Sequence, residues 1–194
     1  MEKCIKLLQP TDNGCSLLTA LCERRTIREF SAEPLSLENL SGVLWAASGI
    51  NREECGKRTA PSALALYPLT VYAFFAEGVY RYDAQEHSLV WVADGNYMTM
   101  TGKQDFVGEA TLNLVYVADM SLYSTIPPYL EDLKRFLAGQ DAACCVQNAN
   151  LWAAANDLAA VTRGSFDEKA LLELLKLDSS RYTVVMAQSV GNKA

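Results

Sequence analysis

The chain has one histidine among its 194 residues and no Cys-x-x-Cys pair among its six cysteines. A single histidine removes most Ser-His-Asp and Cys-His schemes, and most zinc sites with them. His87 lies in a polar stretch beside a predicted hairpin and reads as a solvated loop position. The cysteines (Cys4, Cys15, Cys22, Cys55, Cys144, Cys145) show no framework spacing. On a helix the adjacent Cys144 and Cys145 point about 100° apart and cannot share one metal. Reduced, mostly buried thiols in a reducing compartment follow from this. No G-x-G-x-x-G follows a strand, so a Rossmann dinucleotide site is unsupported. Gly56-Lys57 resembles the end of a P-loop, but Arg58 stands where Ser or Thr is required. No apolar run approaches the roughly 20 residues that span a bilayer. Glu2, Lys3 and Lys6 interrupt any leader-like core in Met1–Leu8.

What is present is an acidic chain with one cationic knot. The net charge of −6 argues against a nucleic-acid or membrane-surface partner. Residues 1–60 carry eight Lys/Arg against eight Asp/Glu, and residues 61–194 carry nine against fifteen. Within the balanced part, Arg24-Arg25-Thr26-Ile27-Arg28-Glu29-Phe30 places three guanidiniums and a hydroxyl in five residues. Arg forks match phosphate oxygens bidentately and stay protonated near neutral pH. The cluster fits a small phosphorylated ligand, or a solvated helix end where cations favour the dipole.

The length suits a single domain over 1–194 with a sizeable core. Asp12 and Asn13 are plausible caps for a helix over 14–25, whose Leu17, Leu18, Leu21 and Cys22 recur at helical spacing. Ser36 caps a second helix with Leu40, Val43, Leu44 and Ala47 on its buried face and Gly49 at its end. Residues 51–60 read as a charged loop. Leu69–Ala76, a Glu77-Gly78 turn and Val79–Tyr82 read as a hairpin, with a third strand at Ser88–Val92. Leu112–Ala118 is a central strand. Pro127-Pro128 opens a helix through Leu137 that Gly139 ends. Asp141–Val161 reads as a long helix, apolar nearly all round and therefore buried on most sides, in the core or against a second subunit. Residues 167–177 form an amphipathic helix, and Tyr182–Ala187 a final strand. The mixture, without a strict βαβ rhythm, predicts an α+β fold with helices covering a sheet. Core packing is the default for Trp45, Trp152, Tyr67 and Phe74.

An ordered series of segments then carries a resemblance. It runs from the arginine cluster to Leu44-Trp45-Ala46-Ala47-Ser48-Gly49-Ile50-Asn51-Arg52 and Gly56-Lys57-Arg58-Thr59-Ala60-Pro61-Ser62-Ala63. It continues through Gln147-Asn148 and Arg163-Gly164-Ser165-Phe166-Asp167 to Ser189-Val190-Gly191. From about residue 16 to 192 the chain resembles the FMN-dependent nitroreductase family, closest to its short, azoline-dehydrogenase-like subgroup. The resemblance implies a three-layer α+β fold around a mostly antiparallel sheet, in an intertwined homodimer with FMN at each subunit interface. It implies a cytoplasmic oxidoreductase that moves electrons from NAD(P)H through FMN to a small organic acceptor such as a nitroaromatic or quinone, by a ping-pong mechanism. Specialised azoline dehydrogenases, reductive dehalogenases and non-catalytic flavin binders share the same fold and remain alternatives.

Carried onto this sequence, Arg24, Arg25, Thr26 and Arg28 match the phosphate and ribityl contacts. Pro61, Ser62 and Ala63 match the segment that reaches the isoalloxazine ring from the partner subunit. Gln104 falls near the ribityl or pyrimidine contacts, and the backbone N–H groups of Arg163 and Gly164 match donors to flavin N5 and O4. Lys193 matches a basic phosphate contact, although the chain stops before the C-terminal arm of many relatives. Leu64 stands where relatives commonly have glycine, which narrows the space over the flavin. Tyr123, Tyr129 and Phe136 lie where relatives line the substrate channel. Gln147 and Asn148 read as helix-packing hydrogen-bonders. The cofactor carries the redox step, so no side-chain acid or base and no metal is called for.

Overall fold

The computed structural model describes residues 3–194; within the Met1–Leu8 reading, Met1 and Glu2 lie outside the described residues. Strand β1 (Cys4–Lys6) leads to helices α1 (Leu17–Glu23) and α2 (Leu37–Ser48). Two short strands, β2 (Ile50–Arg52) and β3 (Lys57–Arg58), pair with each other in the segment read as a plain charged loop. Then come β4 (Leu69–Phe74), β5 (Gly78–Asp83), β6 (Ser88–Asp94) and β7 (Leu112–Asp119). The chain closes with α3 (Glu131–Ala155), β8 (Leu158–Arg163), α4 (Glu168–Leu175) and β9 (Tyr182–Asn192). Seven strands form one sheet in the order β1-β6-β5-β4-β7-β9-β8, and each neighbouring pair is antiparallel.

The sheet separates two apolar layers because alternate residues of a strand face opposite sides. Leu112, Leu114, Tyr116 and Ala118 of β7 pack with Leu40, Val43, Leu44 and Ala47 of α2 and with Ala142, Val146 and Ala149 of α3. Val115 and Val117 face the other way, onto Leu171, Leu172 and Leu175 of α4. The architecture is therefore α+β with helices on both faces of an antiparallel sheet. Helix α2 begins where Ser36 Oγ accepts a hydrogen bond from Asn39 N at 3.1 Å. Gly42 lets α2 approach α3, since a Cβ there would lie 2.0 Å from the Trp152 ring.

Several expectations are corrected. Ser16, not Asp12 or Asn13, caps α1, accepting from Thr19 N at 3.0 Å. Asp12 and Asn13 instead accept from Gly14 N and Cys15 N in two tight turns. The helix read over 14–25 spans only Leu17–Glu23, and its Leu17, Leu18 and Leu21 are 67%, 71% and 50% accessible. Gly139 does not end a helix; α3 runs through it, because burial of Ala138, Asp141, Ala142 and Cys145 outweighs the roughly 1 kcal/mol cost of one mid-helix glycine. Residues 158–161, read as the end of the long helix, belong to edge strand β8, after a turn through Asp157 at φ 57°. Of the cysteines only Cys145 is buried, where desolvation pushes its thiol up to about 12.

His87 is buried rather than solvated. Its Nε2 lies 2.8 Å from Leu8 O, and Tyr82 Oη lies 2.8 Å from Nδ1. A carbonyl can only accept, so Nε2 carries the proton and Nδ1 accepts from the Tyr82 hydroxyl. Phe74 is in the core, while Trp45, Tyr67 and Trp152 are half-buried. The side chains of Gln147 and Asn148 make no hydrogen bond among the described residues. Asn150 takes that role, accepting from Gln188 Nε2 at 2.8 Å.

Candidate functional site

Helix α1 stops at Glu23, and residues 24–29 run without regular structure along edge strand β8. Edge strands leave backbone groups free to pair. Here Ile27 N donates to Ala160 O at 3.1 Å, and Ser31 N donates to Asn192 O at 2.9 Å. Phe30 and Lys193 form an antiparallel bridge. The arginine segment is thus pinned by its backbone, which leaves its side chains available.

Their partners differ. Arg25 donates to Glu23 Oε2 at 2.8 Å, with both side chains more than half exposed. The side chains of Arg24 and Arg28 have no hydrogen-bond or ion-pair partner among the described residues. Lys193 Nζ pairs with Asp157 Oδ1. Glu23, Arg25, Ile27, Asn150, Asp157 and Lys193 border a cavity of about 40 Å³ between the arginine segment and the C-terminal end of α3. Exposed pairs of this kind contribute at most about 1 kcal/mol, so a phosphate can displace either carboxylate.

At the other end of β8, three residues and about 10 Å from Ala160 at 3.3 Å per residue, the chain reaches Arg163 and Gly164. The Arg163 side chain turns inward and is 4% exposed. It donates to Thr101 O, to Thr101 Oγ1 at 3.3 Å and to Asn113 Oδ1 at 2.8 Å. Its Nε has no partner among the described residues. Burial lowers its pKa to about 10, which leaves it cationic at neutral pH. Gly102 makes room for this guanidinium, since a Cβ there would sit 2.2 Å from Nη1. The anchored side chain fixes the strand end, while Gly164 faces open space with nothing within 4 Å of a built Cβ. Gln104 is exposed two residues beyond Gly102, on the loop that Arg163 holds.

Pro61, Ser62, Ala63 and Leu64 lie elsewhere in the chain. Ser62 does not cap a helix by its hydroxyl. Its Oγ donates to Asp141 Oδ2 at 2.5 Å, and Ala63 N donates to Asp141 Oδ1 at 2.9 Å. Asp141 precedes Asn150 on α3 by nine residues, about 13 Å at 1.5 Å per residue. Within one protomer, then, residues 24–28, Arg163, Gly164 and Lys193 adjoin β8, Gln104 lies on the loop that the Arg163 side chain reaches, and the 61–64 segment is anchored elsewhere, at Asp141 of α3. Of the three aromatics assigned to a channel, Tyr123 is fully buried in the core, and burial pushes its hydroxyl up to about 12. Tyr129 and Phe136 are 84% and 61% exposed.

The nitroreductase family model matches residues 21–192. The chain belongs to the nitroreductase family. A candidate nitroreductase of Methanocaldococcus jannaschii is 30% identical over 187 residues, covering 91% of this chain and 92% of the relative. The crystal structure of a candidate nitroreductase from Ralstonia eutropha JMP134 superposes with a TM-score of 0.91 at 36% identity, over all of this chain and 90% of that one. A candidate nitroreductase from Desulfovibrio desulfuricans, solved in complex with FMN, shares the fold with a TM-score of 0.64 at 24% identity, over 95% of this chain and 88% of that one. Flavin oxidoreductase chemistry is the general character of such nitroreductases. Two features of this nitroreductase-family chain are not legible in sequence: the Asp141 clamp on Ser62, 79 residues away, and the buried Arg163 side chain. Neither partner set lies at a local spacing that could have signalled it.

Proposed function

We propose that this protein binds FMN at the β8 edge and transfers electrons from NAD(P)H to a small organic acceptor, such as a nitroaromatic or quinone, by a ping-pong route. The observation that carries the reading is the pair of unpartnered guanidiniums, Arg24 and Arg28, on a backbone-pinned segment about 10 Å from an open strand end. That arrangement suits a ligand with an anionic tail and a flat polar-edged ring. Arg24, Arg28 and Lys193 would hold the phosphate, with Arg25 joining once it exchanges Glu23 for the ligand. Thr26 and Gln104 would hold the ribityl chain.

When bound, FMN supplies the redox chemistry. The chain's own part is positional and electrostatic. Of the two matched backbone donors, Arg163 N–H lies in the ladder opposite Ala187, so Gly164 N–H would be the one that meets the ring's N5–O4 edge, where a preorganised donor favours developing negative charge. The buried Arg163 guanidinium keeps that donor in place through Thr101 and Asn113. Pro61, Ser62, Ala63 and Leu64, remote from β8 in their own protomer, would complete the site of a second copy, which makes the working unit a homodimer. The exposed leucines of α1 are consistent with that. We place the enzyme in the cytoplasm, with 1–194 acting as one domain.

The test is direct. Purified protein should be yellow, release FMN on denaturation, and consume NADH or NADPH when an acceptor is supplied. Colourless protein that resists FMN loading would overturn the reading, and yellow protein without steady-state turnover would restrict it to flavin binding.

A further inference from the structure

Three non-glycine residues with positive φ fall within four positions: Leu64 at 56°, Ala65 at 55° and Tyr67 at 48°. Side chains with a Cβ disfavour this left-handed region, and such strain persists only where the surroundings over-determine it. Leu64 is also 66% exposed in the single chain, so nothing within its own protomer offsets its strain. An exposed leucine here gains nothing from burial within its own chain while carrying the left-handed backbone cost, which glycine would remove.

What imposes the shape is Asp141. This carboxylate is 4% exposed and holds both Ser62 Oγ, at 2.5 Å, and Ala63 N, at 2.9 Å. The same Ser62 Oγ accepts from Tyr67 N at 2.9 Å. Ser62 O and Ala63 O accept from Ala65 N at 3.0 Å and Leu66 N at 3.2 Å. Both ends of the 62–67 loop are therefore tied to one buried carboxylate, directly or through one hydroxyl. The backbone cannot rotate Leu64 inward without breaking that set.

We propose that Leu64 determines which electron acceptors enter, and that Asp141 is the positioning residue that aims it. The proposal rests on the flavin reading above, in which the 61–64 segment stands over the ring bound by the other protomer. A branched aliphatic side chain, fixed outward, leaves room for flat unsubstituted acceptors and obstructs bulky ones.

The experiment compares wild type, Leu64→Gly, Leu64→Ala and Asp141→Asn, each loaded with FMN. The readouts are kcat/KM for 1,4-benzoquinone and for a tert-butyl-substituted benzoquinone, FMN affinity, and the thermal midpoint without FMN. Leu64→Gly should improve the bulky-to-small ratio at least tenfold and raise the thermal midpoint of the FMN-free protein by relieving strain. Leu64→Ala should shift the ratio the same way without the gain in stability, which separates bulk from strain. Asp141→Asn should relax the ratio through KM more than kcat. A Leu64→Gly protein that binds FMN and turns over with an unchanged ratio would overturn the proposal while leaving the flavin reading standing. Wild type that fails to bind FMN would overturn both.

Discussion

Phe30 and Lys193 lie opposite each other in an antiparallel bridge, so the arginine segment and the C-terminal end of β9 are held side by side. Backbone bonds from Ile27 to Ala160 and from Ser31 to Asn192 make the same join. The backbone does the fastening, and the cationic side chains that remain take no part in it.

This division predicts the outcome of neutralising Arg24 and Arg28 together, for example to Gln. Charged hydrogen bonds contribute about 1.5–3 kcal/mol each. FMN affinity should fall by at least about a hundredfold, while the urea midpoint of the FMN-free protein stays close to wild type. Isothermal titration with FMN, paired with urea denaturation, measures both. Unchanged affinity would remove the phosphate role from these residues.

The exposed face of α1 predicts assembly. Leu17, Leu18 and Leu21 leave a contiguous apolar surface uncovered in the single chain, and burial of apolar area is worth about 25 cal/mol per Å². Replacing Leu17 and Leu18 with Glu should shift the mass in light scattering from dimer to monomer, and FMN should be lost with it. A flavin-loaded monomer in wild type would contradict a site shared between subunits.

His87 predicts a pH dependence. Desolvation lowers its folded-state pKa below the ordinary value near 6.5, against a smaller opposing contribution from the Leu8 carbonyl. Below that ordinary value the unfolded chain binds a proton that the folded one resists, so stability rises with pH and is lost as pH falls from 6.5. The urea midpoint should drop between pH 7.5 and 5.5, and a His87→Asn variant should flatten that drop. Asparagine tolerates the left-handed backbone that His87 adopts at φ 42°. An identical pH slope in both proteins would show that His87 is not the source.

Much of the fold is legible in the chain. Apolar runs and a turn mark β4 to β7, and Ser36 stands where α2 is capped. These signals are local: a cap acts over three residues and a strand face over two. The errors share one cause. Gly139 signals a stop that packing overrides, residues 158–161 are apolar enough to suit helix or strand, and His87 looks solvated until Leu8 and Tyr82 close around it.

The sequence by itself determined the class of the fold, the family and the cationic segment, because composition, spacing and ordered motifs are properties of the chain. Only the tertiary structure decided which arginines are free, that Arg163 points inward, and that Asp141 holds Ser62 across 79 residues. Those outcomes depend on which distant groups burial brings within hydrogen-bond reach, and no local pattern encodes that.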